Sequence, residues 1–158
     1  MQPRIFQLNI SPGGVPKMPL REAEVRDLGL VNDEHRSETH GGPERALVLF
    51  SLERILELQD EGHPIYPGST GENVTIAGMD WNQWLPGVQL ALGDDVRIEI
   101  TGYASPCYKI GDSFVNGDFA RISQKVHPGY SRVCARVLHG GRLVAGQAVQ
   151  VLPDSSPQ

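Results

Sequence analysis

The sequence predicts a single, mainly β domain with one clear helix, and three observations carry that expectation. The 18 glycines and 12 prolines are scattered rather than clustered, which cuts the chain into short pieces separated by turns. Several of those pieces alternate apolar with polar residues, the period of a half-buried strand. At 158 residues the chain matches one domain and is long enough to bury a core without covalent staples. Closure into a barrel would be one way to hide the strand edges.

The elements follow in order. "RIFQLNI" sets Ile5, Gln7 and Asn9 against Phe6, Leu8 and Ile10 as a first strand, and "SPGGVPK" follows as a turn-rich loop. "EAEVRDLGL" reads as a second strand and "RALVLF" as a short buried one. The helix is predicted over "SLERILELQDEGHP": Ser51 as N-cap, Glu53 in the first turn, an apolar stripe of Leu52, Ile55 and Leu56, and Gly62 and Pro64 as the stop. "ENVTI", "VQLAL" and "DVRIEIT" are strands separated by turns, and in the last Val96, Ile98 and Ile100 alternate with Arg97, Glu99 and Thr101. "NGDFARISQKV" is expected as a short helix, and "SRVCARVLHGGRLVAGQAVQVL" as a hairpin turned at Gly140-Gly141 plus a closing strand. Residues 1–152 form the domain and 153–158 a polar tail.

Charge and composition narrow the function classes. With 14 basic and 19 acidic residues, a formal net of -5, the chain offers no surface for nucleic acid or anionic membrane. No apolar run approaches the roughly 18 residues of a membrane helix, and "MQPRIFQLNI" lacks the pattern of a signal peptide. The expected location is the cytoplasm, where the two cysteines, Cys107 and Cys134, would be free thiols.

Cys107 is the first candidate for chemistry. In "YASPCYKI", Pro106 interrupts the sheet ladder and presents the sulfur at a rim. If the chain stays extended, Lys109 shares a face with Cys107 and favours the thiolate, the form that ligates metals. The alternative is a small packed hydrophobe. In "NDEHRSETHGGPERA", His35, His40 and the Gly41-Gly42 pair could serve a ligand or merely decorate a surface loop, and a zinc site of His35, His40 and Cys107 lacks any repeated ligand spacing. In "YPGSTGENVTI", Asn73 either bridges a polar ligand or caps a turn. Arg132 and Arg136 flank Cys134 at two-residue spacing; they read as a solvated sheet face and Cys134 as a bystander, with Trp81 and Trp84 as core or rim aromatics.

The blocks "GGVPK", "THGGPERALVLFSLE", "PGSTGENVTIAGMD", "PGVQLALGD", "SPCYKI" and "GYSRVCARVLHGG" stand in the order seen in MOSC domains, the family named after the C-terminal domain of molybdenum cofactor sulfurase. The chain resembles the stand-alone bacterial members from about Ser11 to Leu152. That resemblance implies a β-barrel-like fold with a few peripheral helices and an association with the molybdenum cofactor, a molybdopterin. The family's cysteine falls on Cys107, which in relatives that act as enzymes ligates the metal beside the pterin dithiolene. Those relatives reduce N-hydroxylated compounds, so the implied partners are a small N-hydroxylated substrate and an external electron-donor protein. Glycines and turns at Gly41, Gly42, Glu72 and Asn73, together with Lys109 and Arg45, would hold the cofactor. His40, or His35, would pass a proton.

The resemblance has departures. Many relatives read Gly-Asp-Arg-His where this chain has Asn32-Asp33-Glu34-His35, so a phosphate contact would have to come from Arg45, Arg132 or Arg136. Gly146-Gln147 replaces a common Gly-Asp. The aminotransferase-like domain of the full sulfurase is absent, so pyridoxal-phosphate chemistry is not expected of this chain alone. Nor is the extra N-terminal barrel of the mitochondrial reductases present. The alternative functions are a non-catalytic carrier of sulfur, as a Cys107 persulfide, or of the cofactor, and a barrel whose site has decayed.

Overall fold

In the computed structural model, which describes residues 2–34 and 41–153, eight strands form one strongly curved sheet. The strands are β1 (Arg4–Ile10), β2 (Met18–Leu20), β3 (Glu22–Arg26), β4 (Gly29–Leu30), β5 (Leu47–Ser51), β6 (Val74–Ala77), β7 (Gln89–Leu92), β8 (Val96–Tyr103), β9 (Val133–His139), β10 (Gly141–Val144) and β11 (Val149–Val151). The large sheet runs β11-β7-β8-β9-β5-β6-β1-β2, and a small one runs β10-β3-β4. β5 and β6 are parallel, which requires a crossover, and α1 (Leu52–Asp60) supplies it.

The ladder itself stays open. β2 pairs only with the second half of β1, from Leu8 to Ile10. The first half of that edge is taken by residues 146–149: Ile5 N donates to Gln147 O at 2.8 Å, Gly146 N to Ile5 O at 2.7 Å, and an isolated bridge joins Arg4 to Ala148. The segment then continues into β11, which pairs with β7. The sheet is thereby drawn round into a barrel-like shape without a continuous closing ladder.

Ser51 caps α1 as expected, its Oγ accepting from Arg54 N at 3.1 Å. The buried stripe is Ile55 and Leu58, whereas Leu56 points to solvent. Three expectations need correction. "EAEVRDLGL" is split into β3 and β4, a tight antiparallel pair. "NGDFARISQKV" forms 3-10 turns, Val115–Gly117 and Phe119–Ile122, with Asn116 at φ 56 breaking any continuous helix. β9 and β10 do not form a hairpin: β8 runs along β9 from Val133 to His139, β5 pairs with Val133–Ala135, and β10 leaves to pair with β3. Gly140 permits the departure, because a Cβ there would lie 2.4 Å from Val25 O.

The core lies inside the curl and includes Leu8, Leu49, Phe50, Ile76, Ile98 and Ile100. Trp81 and Trp84 are buried core residues, with ring centroids 4.2 Å apart, and Phe50 meets Trp81 edge-on at 6.2 Å. Trp81 Nε1 donates to Ser131 O at 2.7 Å and so pins the segment leading into β9. Both cysteines are free thiols. No described helix is long and apolar enough to cross a membrane.

Trp81→Phe keeps a ring in the cluster but leaves Ser131 O without that donor and a void beside Trp84. A loss of about 2–3 kcal/mol is expected, read as a lower urea midpoint at unchanged slope.

Candidate functional site

β8 ends at Tyr103 because the chain turns out of the sheet through Ala104, Ser105 and Pro106. Ala104 N still donates to Arg132 O at 3.0 Å, which keeps the departing segment beside the start of β9. Cys107 then stands half-buried at the head of a 3-10 segment, Tyr108–Ser113, with Ile110 N bonded to Cys107 O at 3.1 Å. Ile110 is buried, and Ser113 Oγ bonds Ser69 Oγ at 2.9 Å, which anchors the segment to the loop before β6. The strand does not continue through Cys107, so the two-residue face argument fails. Even so, Cys107 and Lys109 line the same cavity, of about 600 Å³.

The opposite wall comes from the loop after Tyr66. Gly68 and Gly71 have φ of 91° and 86°, and a Cβ on Gly68 would lie 2.4 Å from Lys17 O, so the loop carrying Lys17 is pressed against it. Asn73, fully buried, lines the cavity and binds on every side. Its Oδ1 accepts from Val48 N at 3.0 Å, and its Nδ2 donates to Asn9 O at 3.3 Å and to Asp33 Oδ2 at 2.9 Å. Asp33 in turn accepts from Ser11 N at 2.9 Å and from Lys17 Nζ at 2.6 Å, an ion pair whose side chains are 2% and 7% exposed. Neither alternative weighed for Asn73 from the sequence describes this: it is the junction of β1, β5, β6 and the Asp33 turn.

Glu72 points the other way. It does not line the cavity but lies fully buried, accepting from Thr70 Oγ1 at 3.0 Å and Thr75 Oγ1 at 3.2 Å. Thr75 Oγ1 itself accepts from Asn9 Nδ2 at 3.3 Å, so its hydrogen is free to point at Glu72. Burial pushes the Glu72 carboxyl above the usual carboxylate range, against the pull of these hydrogen bonds and of Arg132.

Arg132 and Cys134 also line the cavity, so the solvated-face reading does not hold for Arg132. Arg132 is 7% exposed, and its Nη1 donates to Thr70 O at 2.5 Å. Burial pulls its pKa below the ordinary arginine value, the nearby Glu72 charge opposes that, and a guanidinium stays charged throughout. Cys134 is buried, and burial pushes its thiol up against the opposing fields of Arg132 and Arg45. Arg136 is absent from the wall; it pairs with Glu99 at 2.6 Å and Glu44 at 3.6 Å. With Thr101 Oγ1 donating to Glu44 O at 2.5 Å, it holds the Pro43–Arg45 turn against the sheet. That turn carries Arg45 to the rim.

Of the residues anticipated from sequence, Cys107, Lys109, Gly41, Arg45 and Asn73 meet at one cavity. Gly42 is exposed outside its wall, Glu72 lies behind it, and His35 and His40 lie outside the described residues. Arg132, one of the three arginines named above for a phosphate contact, joins them, and so do Lys17, Thr70 and Cys134, which the sequence did not single out for this site. For Arg132 and Cys134 the signal was their two-residue spacing, which put them on one face without saying which face the cavity would take. Among the described residues the wall carries four cations, Lys17, Arg45, Lys109 and Arg132, against one carboxylate, Glu34. No group of three or more His, Cys, Asp or Glu among the described residues could hold a metal ion by itself. The arrangement suits an anionic ligand placed beside the Cys107 thiol.

Two substitutions test these assignments. Asn73→Asp keeps the shape but turns a donor facing Asp33 into an acceptor, and a loss of about 3 kcal/mol or more is expected in denaturant melts. With the Glu72 carboxyl raised in the native state, the folded protein holds a proton that the unfolded chain, near 4.5, has already released. Stability from this group therefore falls as pH rises through that window. Glu72→Gln is expected to flatten that part of the difference between the two pH–stability profiles.

The family model described as MOSC domain matches residues 36–150. A Gibberella moniliformis protein named Reductase is 29% identical over 135 residues, covering 82% of this chain and 24% of its own length. Protein YiiM of Escherichia coli is 29% identical over 119 residues, covering 72% of this chain and 53% of its own. The chain thus spans about half, or less, of the curated relatives it matches. The crystal structure of Escherichia coli YiiM superposes with a TM-score of 0.74 at 22% identity, over 99% of this chain and 72% of that one. The YuaD protein of Bacillus subtilis does so at 0.74 and 18% identity, over 100% of this chain and 98% of that one, a likeness of fold. A mainly β domain with its thiol at a basic cavity, matched from residue 36 to residue 150 by the family model, belongs to the MOSC domain family.

Proposed function

We propose that this chain binds the molybdenum cofactor in the cavity at Cys107 and reduces N-hydroxylated small molecules. The observation that carries the reading is the Cys107 sulfur in a cavity walled by four cations. Thiolate is a fitting soft ligand for a sulfur-bound transition metal, and the basic wall suits the anionic pterin phosphate. The family association and a relative named Reductase support the same class of chemistry.

When bound, the cofactor supplies the two-electron chemistry that converts an N–OH group and two protons to N–H and water. Cys107 gives the metal its protein ligand. Lys109, Arg45 and Gly41 line the approach, and Asn73, fully engaged within the protein, keeps the wall in register rather than turning toward the ligand. We assign the proton to His40 or His35, whose imidazoles titrate near neutrality. The electrons are assigned to a donor protein outside this domain. The setting is a reducing cytoplasm, which keeps both thiols free.

One observation favours a second reading. Cys134 shares the wall with Cys107, and a two-thiol cavity also suits a carrier holding sulfur as a persulfide.

Protein purified from a host that makes the cofactor is expected to hold near-stoichiometric molybdenum by elemental analysis and to reduce a hydroxylamino purine. Cys107→Ser is expected to lose both, and Cys134→Ser to keep the metal. Metal and activity retained in Cys107→Ser would sink the reading. A stoichiometric persulfide without metal, seen by mass spectrometry, would replace it with the carrier.

A further inference from the structure

We propose that Arg132 is a fixed receptor for a phosphate-type oxyanion on the ligand of this cavity, an assignment that rests on the cavity being the ligand site. A guanidinium carries five N–H donors. In Arg132 two are engaged: Nη1 donates to Thr70 O at 2.5 Å and Nη2 to Ala104 O at 3.4 Å. Among the described residues Nε has no partner, and each Nη keeps one further hydrogen. Arg132 is nevertheless 93% buried, since 7% of it is exposed, and it lines the cavity. A buried donor left unsatisfied is costly, so native proteins rarely leave one without a reason. The side chain that carries it lines a cavity large enough for a ligand.

Its charge is equally uncompensated by contact. Arg54, Arg121 and Arg142 each hold a carboxylate within 4.0 Å, as do Arg26 and Arg136. Arg132 has no such ion pair among the described residues; both of its partners are neutral backbone carbonyls. An arriving oxyanion therefore meets a desolvated cation with donors to spare, and a planar fork matches two oxygens at once.

The receptor is also rigid. Thr70 belongs to the loop before β6 and Ala104 to the exit of β8, so the guanidinium is clamped between two walls. Lys109, which is exposed, must give up side-chain freedom to engage the same ligand. Arg132 thus sets where the anion sits, in the wall that also holds Cys107 and Cys134, and the exposed cations add attraction. A phosphomonoester on the cofactor and one on a nucleotide substrate present the same chemistry.

The test uses metal-free protein and inorganic phosphate, titrated against chloride at constant ionic strength. The readouts are the thermal midpoint and the alkylation rates of Cys107 and Cys134 by iodoacetamide, mapped by mass spectrometry. Phosphate, and not chloride, is expected to raise the midpoint and slow alkylation in a saturable way. Arg132→Lys, which keeps the charge but loses the fork, is expected to weaken this about tenfold or more, and Lys109→Gln only about threefold. If phosphate acts no better than chloride on the unaltered protein, or if Arg132→Lys binds it equally well, the assignment is overturned. The unaltered protein decides the first point even if a variant misfolds.

Molybdenum-loaded protein separates the two sources. Exclusion of phosphate there, with binding in the metal-free form, assigns the receptor to the cofactor. Binding of a nucleoside monophosphate that is lost in Arg132→Lys assigns it to the substrate. Phosphate binding without any molybdenum uptake would leave the receptor standing and remove the reductase reading.

Discussion

The carboxamide of Asn73 is where three strands and a turn are brought to terms. β1 and β5 each run a backbone group into it, through Asn9 O and Val48 N, β6 starts at the next residue, and the Asp33 turn closes on its Nδ2. A fully buried amide with all its groups engaged allows one arrangement of these segments and penalises others. The register so imposed decides which side chains face the cavity, because neighbouring residues of an extended segment point in opposite directions. Asn73 therefore faces the cavity while Glu72 backs it.

Two buried cations show how differently the same kind of charge can be held. Lys17 sits against Asp33 at 2.6 Å, and Asp33 is itself bonded by Ser11 N and Asn73, so that ion pair is complete within the protein. Arg132 is buried as deeply but rests on two carbonyl oxygens. Desolvation burdens both, and among the described residues only the first is answered at contact distance by a carboxylate. The contrast makes Lys17 part of the scaffold and directs Arg132 toward whatever enters the cavity.

The 3-10 segment from Tyr108 to Ser113 performs a related task for the sulfur. It replaces the strand at the point where Pro106 removes a ladder donor, and its buried residues, Ile110 and Ser113, tie it to the interior. Cys107 is left at the head of this segment rather than in a continuous strand. The basic wall surrounding it draws on residues as far apart in sequence as Lys17 and Arg132.

Much of this was legible before folding was considered. α1 could be read from Ser51, Ile55 and Gly62, and β8 from the alternation of Val96 through Thr101, because helix caps and strand periods are local properties of the chain. The break at Pro106 marked Cys107 for the same reason. What could not be read was pairing. Nothing in "RVLHGGRLV" says which strand each segment will pair with, so a hairpin looked natural where β9 runs along β8 and β10 joins β3. Likewise, the spacing of Arg132 and Cys134 put them on one face, but only the curl of the sheet decided whether that face met water or a cavity. Local stereochemistry lies in the order of the residues; partners distant along the chain are chosen by the packing of the whole.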